Sequence, residues 1–232
     1  MDGAKYIGGL TEPEMRQLYG EPFFIMTESG EVWAIGASLS EYVFHSQKLY
    51  LPTDANVLGE IFCNYAMLDQ SITIPKNIEE IGGDSFRASM LSEIHFEEGS
   101  HLRRIGYFAF EQASFTEIQL PDGLWEIRQR AFYSCQNLTE ITIPESVKSI
   151  GSRCFGLCSS LERVVILNPD ISLEEDAFDN EIVNPELSDD EIDMENLDSN
   201  FIPNNQLTIV CHSDSNAEKY AREHGLQVEY LK

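Results

Sequence analysis

Three glutamates recur at a nearly constant interval in the sequence. Glu93, Glu117 and Glu140 are separated by 24 and 23 residues, and Arg163 follows after another 23. If these residues occupy one position on adjacent strands, their side chains lie ~5 Å apart, and like charges stacked in this way destabilise a sheet. We interpret the column as a candidate binding site for a cationic partner surface, with Arg163 relieving one end. In the alternative, each glutamate is solvated and salt screens the repulsion.

Two further polar residues are predicted on the same strand face. His95 and Gln119 lie two residues after Glu93 and Glu117, and side chains two residues apart point to the same side of a strand. We include both in the candidate protein-binding site. The alternative is that they are ordinary solvated surface residues.

Trp125 is the aromatic residue with the clearest functional potential. It occupies the position that Arg103 and Lys148 hold in the neighbouring repeats, so we predict that its indole is exposed. Exposed tryptophans on a rigid scaffold are candidate hot spots for protein binding. Packing of the ring over the edge of the coil is the alternative.

A strongly acidic segment, 181–206, interrupts the repeat pattern and carries eight acidic residues and no basic residue. We predict a loop, with one helical turn at Ser188–Met194, that is either a solvated insertion or a binding site for a basic partner. A calcium loop is disfavoured because Met194 stands where a glycine is needed and Asn200 where a bidentate glutamate is needed. Its candidate binding residues are Asp189, Asp190, Glu191, Asp193, Met194 and Phe201.

Motifs for catalysis are missing from the sequence. It contains no G-x-S-x-G, no G-x-x-x-x-G-K, no H-E-x-x-H and no dinucleotide fingerprint. The five cysteines, Cys63, Cys135, Cys154, Cys158 and Cys211, are predicted to be small buried apolar groups, because no second Cys/His pair follows at zinc-ligand spacing. We therefore predict no enzyme, no catalytic residue, no metal site and no cofactor.

The elements that position the glutamates are repeats of about 23 residues. A phenylalanine recurs at intervals of 24, 22, 23 and 23 residues, and an L-x-x-I-x-I step recurs with it. Such a period indicates a solenoid. Each repeat should form a short strand, a proline turn, a second extended piece and a tight turn or short helix around Ala-Phe. The phenylalanines are Phe86, Phe110, Phe132, Phe155 and Phe178.

The repeat resembles one known family. The pattern L-x-x-I-x-I-P-x-x-V-x-x-I-G-x-x-A-F-x-x-C-x-x is similar to the BspA-type leucine-rich repeat, and the match runs from about Lys48 to Asn180. The resemblance implies a non-enzymatic protein-binding scaffold of the kind found in bacterial surface and host-contact proteins. We expect a right-handed leucine-rich repeat solenoid with short strands, turns or short helices, and helical caps at both ends.

We predict a single domain, 1–232, in four parts. Residues 1–44 form an N-terminal cap with a helix that begins at Thr11 and ends at Gly20, followed by a hairpin of Phe23–Met26 and Glu31–Ile35. The repeats span 45–180, the acidic insertion 181–206 and a C-terminal cap 207–232. In the cap, Ser215 begins a helix that ends before Gly225, and a last strand follows.

The composition restricts the partners. The 232 residues carry a net charge of −25, which argues against nucleic acid and anionic membranes, and no apolar run is long enough for a membrane span. We expect a protein partner with a basic surface, and self-association through an open solenoid end remains a possible interaction. An acidic inhibitor or immunity-type protein that neutralises a basic enzyme is the alternative function. The N-terminus lacks a secretory signal, so the location is cytoplasmic if Met1 is the native start, and the cell surface or outside if a leader was removed.

Overall fold

Each repeat folds into one coil that contributes two short strands. The computed structural model describes residues 71–89, 91–178 and 206–232, together with the strands at 5–6, 24–26, 32–34, 49–50, 57–58, 181–183 and 201–203. One helix is described, α1 (Asn216–Glu223). In chain order the strands are β1 (Lys5–Tyr6), β2 (Phe24–Met26), β3 (Val32–Ala34), β4 (Leu49–Tyr50), β5 (Val57–Leu58), β6 (Ile72–Ile74), β7 (Glu80–Ile81), β8 (Ile94–Phe96), β9 (Arg104–Ile105), β10 (Glu117–Gln119), β11 (Glu126–Ile127), β12 (Glu140–Ile143), β13 (Ser149–Ile150), β14 (Arg163–Ile166), β15 (Ser172–Leu173), β16 (Glu181–Val183), β17 (Phe201–Pro203), β18 (Thr208–Cys211) and β19 (Gln227–Tyr230).

The strands stack into two parallel layers, which confirms the predicted solenoid. The second strand of every coil joins one continuous sheet in the order β15-β13-β11-β9-β7-β5, here called the second-strand sheet. The first strands form two separate pieces, β6-β8 and β10-β12-β14-β18-β19, here called the first-strand sheet. Alternate residues of these strands point into the core and into solvent, so the solvent side of each sheet is a regular array of side chains.

The core holds the coils in register through stacked phenylalanines. The rings of Phe110, Phe132 and Phe155 are stacked with centroids 5.3 Å apart, and Phe86 and Phe178 extend the stack at both ends. Burying one such side chain contributes about 1.5–3 kcal/mol. Neighbouring coils approach so closely that a Cβ on Gly106 would lie 2.7 Å from backbone atoms of Gly82 and Gly83, which explains a glycine after the second strand.

The C-terminal cap forms as predicted. The Ser215 hydroxyl accepts a hydrogen bond from the Glu218 backbone N–H at the start of α1, and Gly225 adopts a positive φ of 68° after it. Tyr220 of α1 packs edge-on against Phe178, 5.8 Å between centroids, and its hydroxyl accepts the Phe178 backbone N–H. The helix thereby covers the last ring of the phenylalanine stack.

The other terminal predictions have mixed outcomes. The predicted N-terminal hairpin is present as the antiparallel pair β2 and β3, to which β1 adds an antiparallel strand and β4 a parallel one. The predicted helix from Thr11 to Gly20 lies outside the described residues, as does the helical turn at Ser188–Met194. The two ends of the acidic insertion are paired in antiparallel fashion through β16 and β17, which the expectation of a loop had not included.

Within the described ranges, no helix is long and apolar enough to cross a membrane.

Candidate functional site

The predicted glutamate column is built by the register of the first-strand sheet. Glu117 lies directly opposite Glu140, and Glu140 lies directly opposite Arg163, in parallel pairs. All three backbones are therefore adjacent at a strand spacing of ~4.8 Å. The glutamates are exposed because they alternate with the buried residues Ile118 and Ile141.

Arg163 relieves only one end of this column. Its Nη1 lies 2.7 Å from Glu229 Oε2 on β19, while its Nε lies 3.8 Å from Glu140 Oε1. The guanidinium is thus shared, with the shorter contact on the far side from Glu140. No ion pair of Glu117 is found among the described residues.

The first-strand sheet breaks between β8 and β10, beside Glu117. Cα atoms of the two strands approach within 8 Å, but no backbone hydrogen bond joins these strands. Their facing edges therefore keep backbone donors and acceptors that the other coils use in pairing.

The turn after β8, which lies beside the break, is longer than its counterpart in the next coil. Five residues lie between the inward-facing Phe96 and Leu102, whereas three lie between Leu120 and Leu124 in the next coil. The longer turn exposes Glu98 and Gly99. It is tied to the preceding coil, because the Glu97 carboxylate accepts the Lys76 N–H at 2.9 Å. The His101 N–H also donates to the Lys76 carbonyl at 2.8 Å.

A groove of about 540 Å³ lies over this break. It is lined by β8, the long turn after it, β10 and the proline turn after β10. We call it the acidic groove because five carboxylates line it: Glu93, Glu97, Glu98, Glu117 and Asp122. The predicted residues His95 and Gln119 line it as well.

Glu93 and His95 form a surface pair at one side of the groove. The Glu93 carboxylate lies 3.1 Å from His95 Nε2, and the two side chains are 64% and 58% exposed. This exposure leaves the pair accessible to a partner.

Trp125 is exposed, as predicted. More than half of it, 54%, is accessible to solvent. It follows the proline turn that lines the acidic groove and sits one residue before β11. The sequence prediction thus holds for exposure, and the binding role stays a prediction.

The remaining predicted site residues fall in the acidic insertion. Phe201 begins β17, of which the backbone pairing is described. The others lie outside the described residues: Asp189, Asp190, Glu191, Asp193 and Met194.

Sequence reasoning missed the acidic groove and three of its carboxylates, Glu97, Glu98 and Asp122. The available signal was the pair of extra residues in the turn after β8. The place of the turn beside the groove depends on its hydrogen bonds to the preceding coil. Those bonds have no sequence signature.

The four described cysteines are core residues. Cys135, Cys154, Cys158 and Cys211 are buried, as predicted, whereas Cys63 lies outside the described residues. Burial raises the pKa of the Cys158 thiol to about 12, and it raises the pKa of Cys135 and Cys154 strongly. A thiolate is therefore not available at these positions at neutral pH.

Glu111 is a buried carboxylate away from the acidic groove. It is 5% exposed, and Oε2 lies 3.2 Å from Arg87 Nε of the preceding coil. Burial raises the pKa of Glu111, while Arg87 and Arg130 oppose the shift. We assign this pair to the packing between coils.

Solved structures of bacterial leucine-rich repeat proteins resemble this fold. A leucine-rich repeat protein of T. pallidum is 23% identical, with 65% of this chain and 77% of that chain covered and a TM-score of 0.43. A leucine-rich cell surface protein of Faecalibacterium prausnitzii is 25% identical over 64% of this chain and 44% of that chain, with a TM-score of 0.44. The pneumococcal vaccine antigen PcpA is 21% identical over 68% and 49%, with a TM-score of 0.42. This chain thus spans less than half of the second and third proteins.

No curated protein sequence matches the chain significantly. The model of the BspA type leucine rich repeat region, in contrast, matches six copies over residues 56–184. These copies take in the glutamate column, the acidic groove and Trp125, and they agree with the coils seen in the fold. The chain belongs to the BspA-type leucine-rich repeat family.

Proposed function

We propose that this chain is a non-enzymatic protein-binding module that holds a basic surface of a partner against the first-strand sheet. The observation that carries the proposal is the like-charge register of Glu117 opposite Glu140 beside the acidic groove, in which Arg163 contacts only Glu140, at 3.8 Å. A cation placed there removes a repulsion that the folded chain otherwise retains. Binding is therefore favoured by the charge arrangement and by the exposed strand edges.

The groove fits the side chain of an arginine or lysine. Carboxylates line both of its walls, at Glu97 and Glu98 on one coil and at Glu117 and Asp122 on the next. A guanidinium carries five N–H donors, which matches a site rich in carboxylate oxygens and unpaired backbone acceptors. Because the stacked core holds both coils, little conformational entropy is lost on binding.

The family supports a binding role. Leucine-rich repeats are generally scaffolds without catalytic activity, and stacked coils present extended surfaces to partners. We propose a bacterial surface or host-contact setting for this chain, in line with the resemblance to surface proteins of this fold. The acidic insertion, through residues such as Asp189 and Phe201, is proposed as a second contact for the same basic partner.

The test compares two variants of equal charge. Glu117→Gln with Glu140→Gln removes two charges from the column, and Glu174→Gln with Glu175→Gln removes two exposed charges outside it. Proteins retained from bacterial lysate and from host extracts by the immobilised chain are identified, and affinities are then measured with the purified partner. We expect a partner with a basic surface whose affinity falls at least ~10-fold in the column variant and little in the control.

Equal losses in the two variants would show that only net charge matters and would contradict the proposed site. A third form, with 182–205 replaced by a Gly-Ser linker, measures the contribution of the insertion. An inhibitor of a basic enzyme would use the same face, and a steep fall of its association rate with salt would support that alternative. Salt-insensitive association would exclude it.

A further inference from the structure

A second surface of opposite charge lies next to the acidic groove. Trp125 is flanked in the adjacent coils by Arg103 and Lys148, because its N–H donates to the Arg103 carbonyl and its carbonyl accepts the Lys148 N–H, both at 2.8 Å. All three side chains are exposed. We call these three residues the basic-aromatic strip.

The strip is not used by the described fold. No ion pair of Arg103 or Lys148, and no ring or cation-π contact of Trp125, is formed within 71–89, 91–178 and 206–232. A cationic residue on either side shows that the position accepts a fully solvated side chain. The large exposed indole therefore has no evident structural purpose.

Neighbouring charges do not neutralise the strip. Glu126, the residue after Trp125, lies 3.2 Å from Arg128. Glu80 lies 2.6 Å from Arg104, the residue after Arg103. Glu79, the neighbour of Arg103 in the preceding coil, forms no ion pair with it within the described ranges, and Glu80 and Glu126 are engaged with other arginines, so the charges of the strip remain available to a partner.

We propose that the basic-aromatic strip docks a segment of a partner protein in which an apolar or aromatic side chain is bracketed by two carboxylates. Two coil spacings place the backbones of Arg103 and Lys148 ~10 Å apart, with Trp125 midway. An extended segment advances ~3.3 Å per residue and alternate side chains share a face, so acidic residues four positions apart span ~13 Å and reach both cations through the long Arg103 and Lys148 side chains, while the side chain midway between them lies on the indole.

The net charge of the whole chain restricts acidic segments to the basic-aromatic strip. With a net charge of −25, most of the surface disfavours an acidic segment, and the acidic groove rejects it outright. An acidic segment is therefore held only where both cations and the indole are engaged together. This site is separate from the one in the proposed function, which takes cations.

The test is a selection of random displayed peptides on the immobilised full chain. We expect one enriched class with the acidic-apolar-acidic pattern. Synthetic peptides of this class should lose at least ~10-fold in affinity for Trp125→Ala and for the double variant Arg103→Glu, Lys148→Glu. Their affinity for Glu117→Gln with Glu140→Gln should stay within ~2-fold of the original.

The proposal is overturned if no acidic class is enriched, or if the acidic peptides bind Trp125→Ala as tightly as the original chain. Binding of acidic oligosaccharides to the strip in the absence of any such peptide also overturns it. The selection tests the proposed function separately, because that function predicts basic peptides that depend on Glu117 and Glu140. The selection can enrich acidic peptides without basic peptides, or basic peptides without acidic ones, so the two proposals can be contradicted independently.

Fluorescence gives a direct readout at the strip. The chain has two tryptophans, so Trp33→Phe leaves Trp125 as the only reporter. Binding of a selected acidic peptide should shift its emission to the blue and reduce quenching by acrylamide. An unchanged spectrum at saturating peptide would contradict contact with the indole, and circular dichroism of each variant checks that the fold is kept.

Discussion

The two sheets of the solenoid carry their surface charges in opposite ways. On the second-strand sheet, Arg104 lies opposite Glu80 on one side and Glu126 on the other, so signs alternate. On the first-strand sheet, Glu117 lies opposite Glu140. Both arrays have the same strand spacing and the same stacked core.

The comparison shows that the acidic column is not imposed by the fold. The second-strand sheet pairs its charges closely, with Arg104 Nη2 2.6 Å from Glu80 Oε2 and Arg128 Nε 3.2 Å from Glu126 Oε2. A lysine or arginine at position 117 would have given the first-strand sheet the same alternation. The retained repulsion is therefore a property of this particular sequence, available for binding.

The largest effect is expected from the core that both sheets share. Phe132→Ala should lower the free energy of unfolding by about 3–5 kcal/mol, because it leaves a cavity in the stacked phenylalanines. Phe132→Leu is the control and should cost less than about 1.5 kcal/mol. Urea denaturation measures both, and hydrogen exchange should show that amides of the two sheets lose protection together. Loss in one sheet alone would mean that the two surfaces do not share a scaffold.

The next largest effect is expected from reversing a charge on the second-strand sheet. Glu80→Lys removes the contacts with Arg104 and Arg128 and places like charges opposite each other, so we expect a loss of about 1–2 kcal/mol. Glu79→Lys makes the same change in net charge at the adjacent exposed residue and should cost less. If both variants unfold at the same urea concentration, the charge pairs of this sheet do not contribute to the free energy of unfolding.

The same reversal on the acidic column should have the opposite sign. Glu117→Lys places a cation opposite Glu140, and we expect stability to rise by about 0.2–1 kcal/mol. Glu174→Lys controls for the change in net charge. The gain should shrink as salt approaches ~0.5 M because exposed charges are screened. A loss of stability at low salt would show that Glu117 makes a favourable contact that outweighs its repulsion by Glu140.

The sequence was sufficient to predict the solenoid because the residues that recur at the period are core residues. Phe110, Phe132 and Phe155 recur at the coil interval, and only a stack of coils buries all of them. The cap at Ser215 was predictable for a similar local reason, since a serine before a helix-forming segment satisfies its free N–H groups. The exposure of Trp125 followed from the cationic residues that share its column.

What escaped prediction depends on contacts between distant parts of the chain. Arg163 pairs with Glu229, 66 residues later, and the intervening insertion hides that the two strands are separated by only one strand. The long turn beside the break between β8 and β10 is held to the preceding coil by hydrogen bonds of Glu97 and His101. The period locates such residues within their coils, but it does not determine which way an irregular turn is pulled.

Because the coils are stacked repeats, the acidic surface can change in length only by whole coils. The last ring of the phenylalanine stack is covered by Tyr220 of α1, so a duplicated coil between β12 and β14 leaves the cap unchanged. Such a duplication lengthens the column by one residue and moves Arg163 ~4.8 Å farther from the acidic groove. Internal duplication would thus lengthen this surface in fixed steps, without redesigning either end.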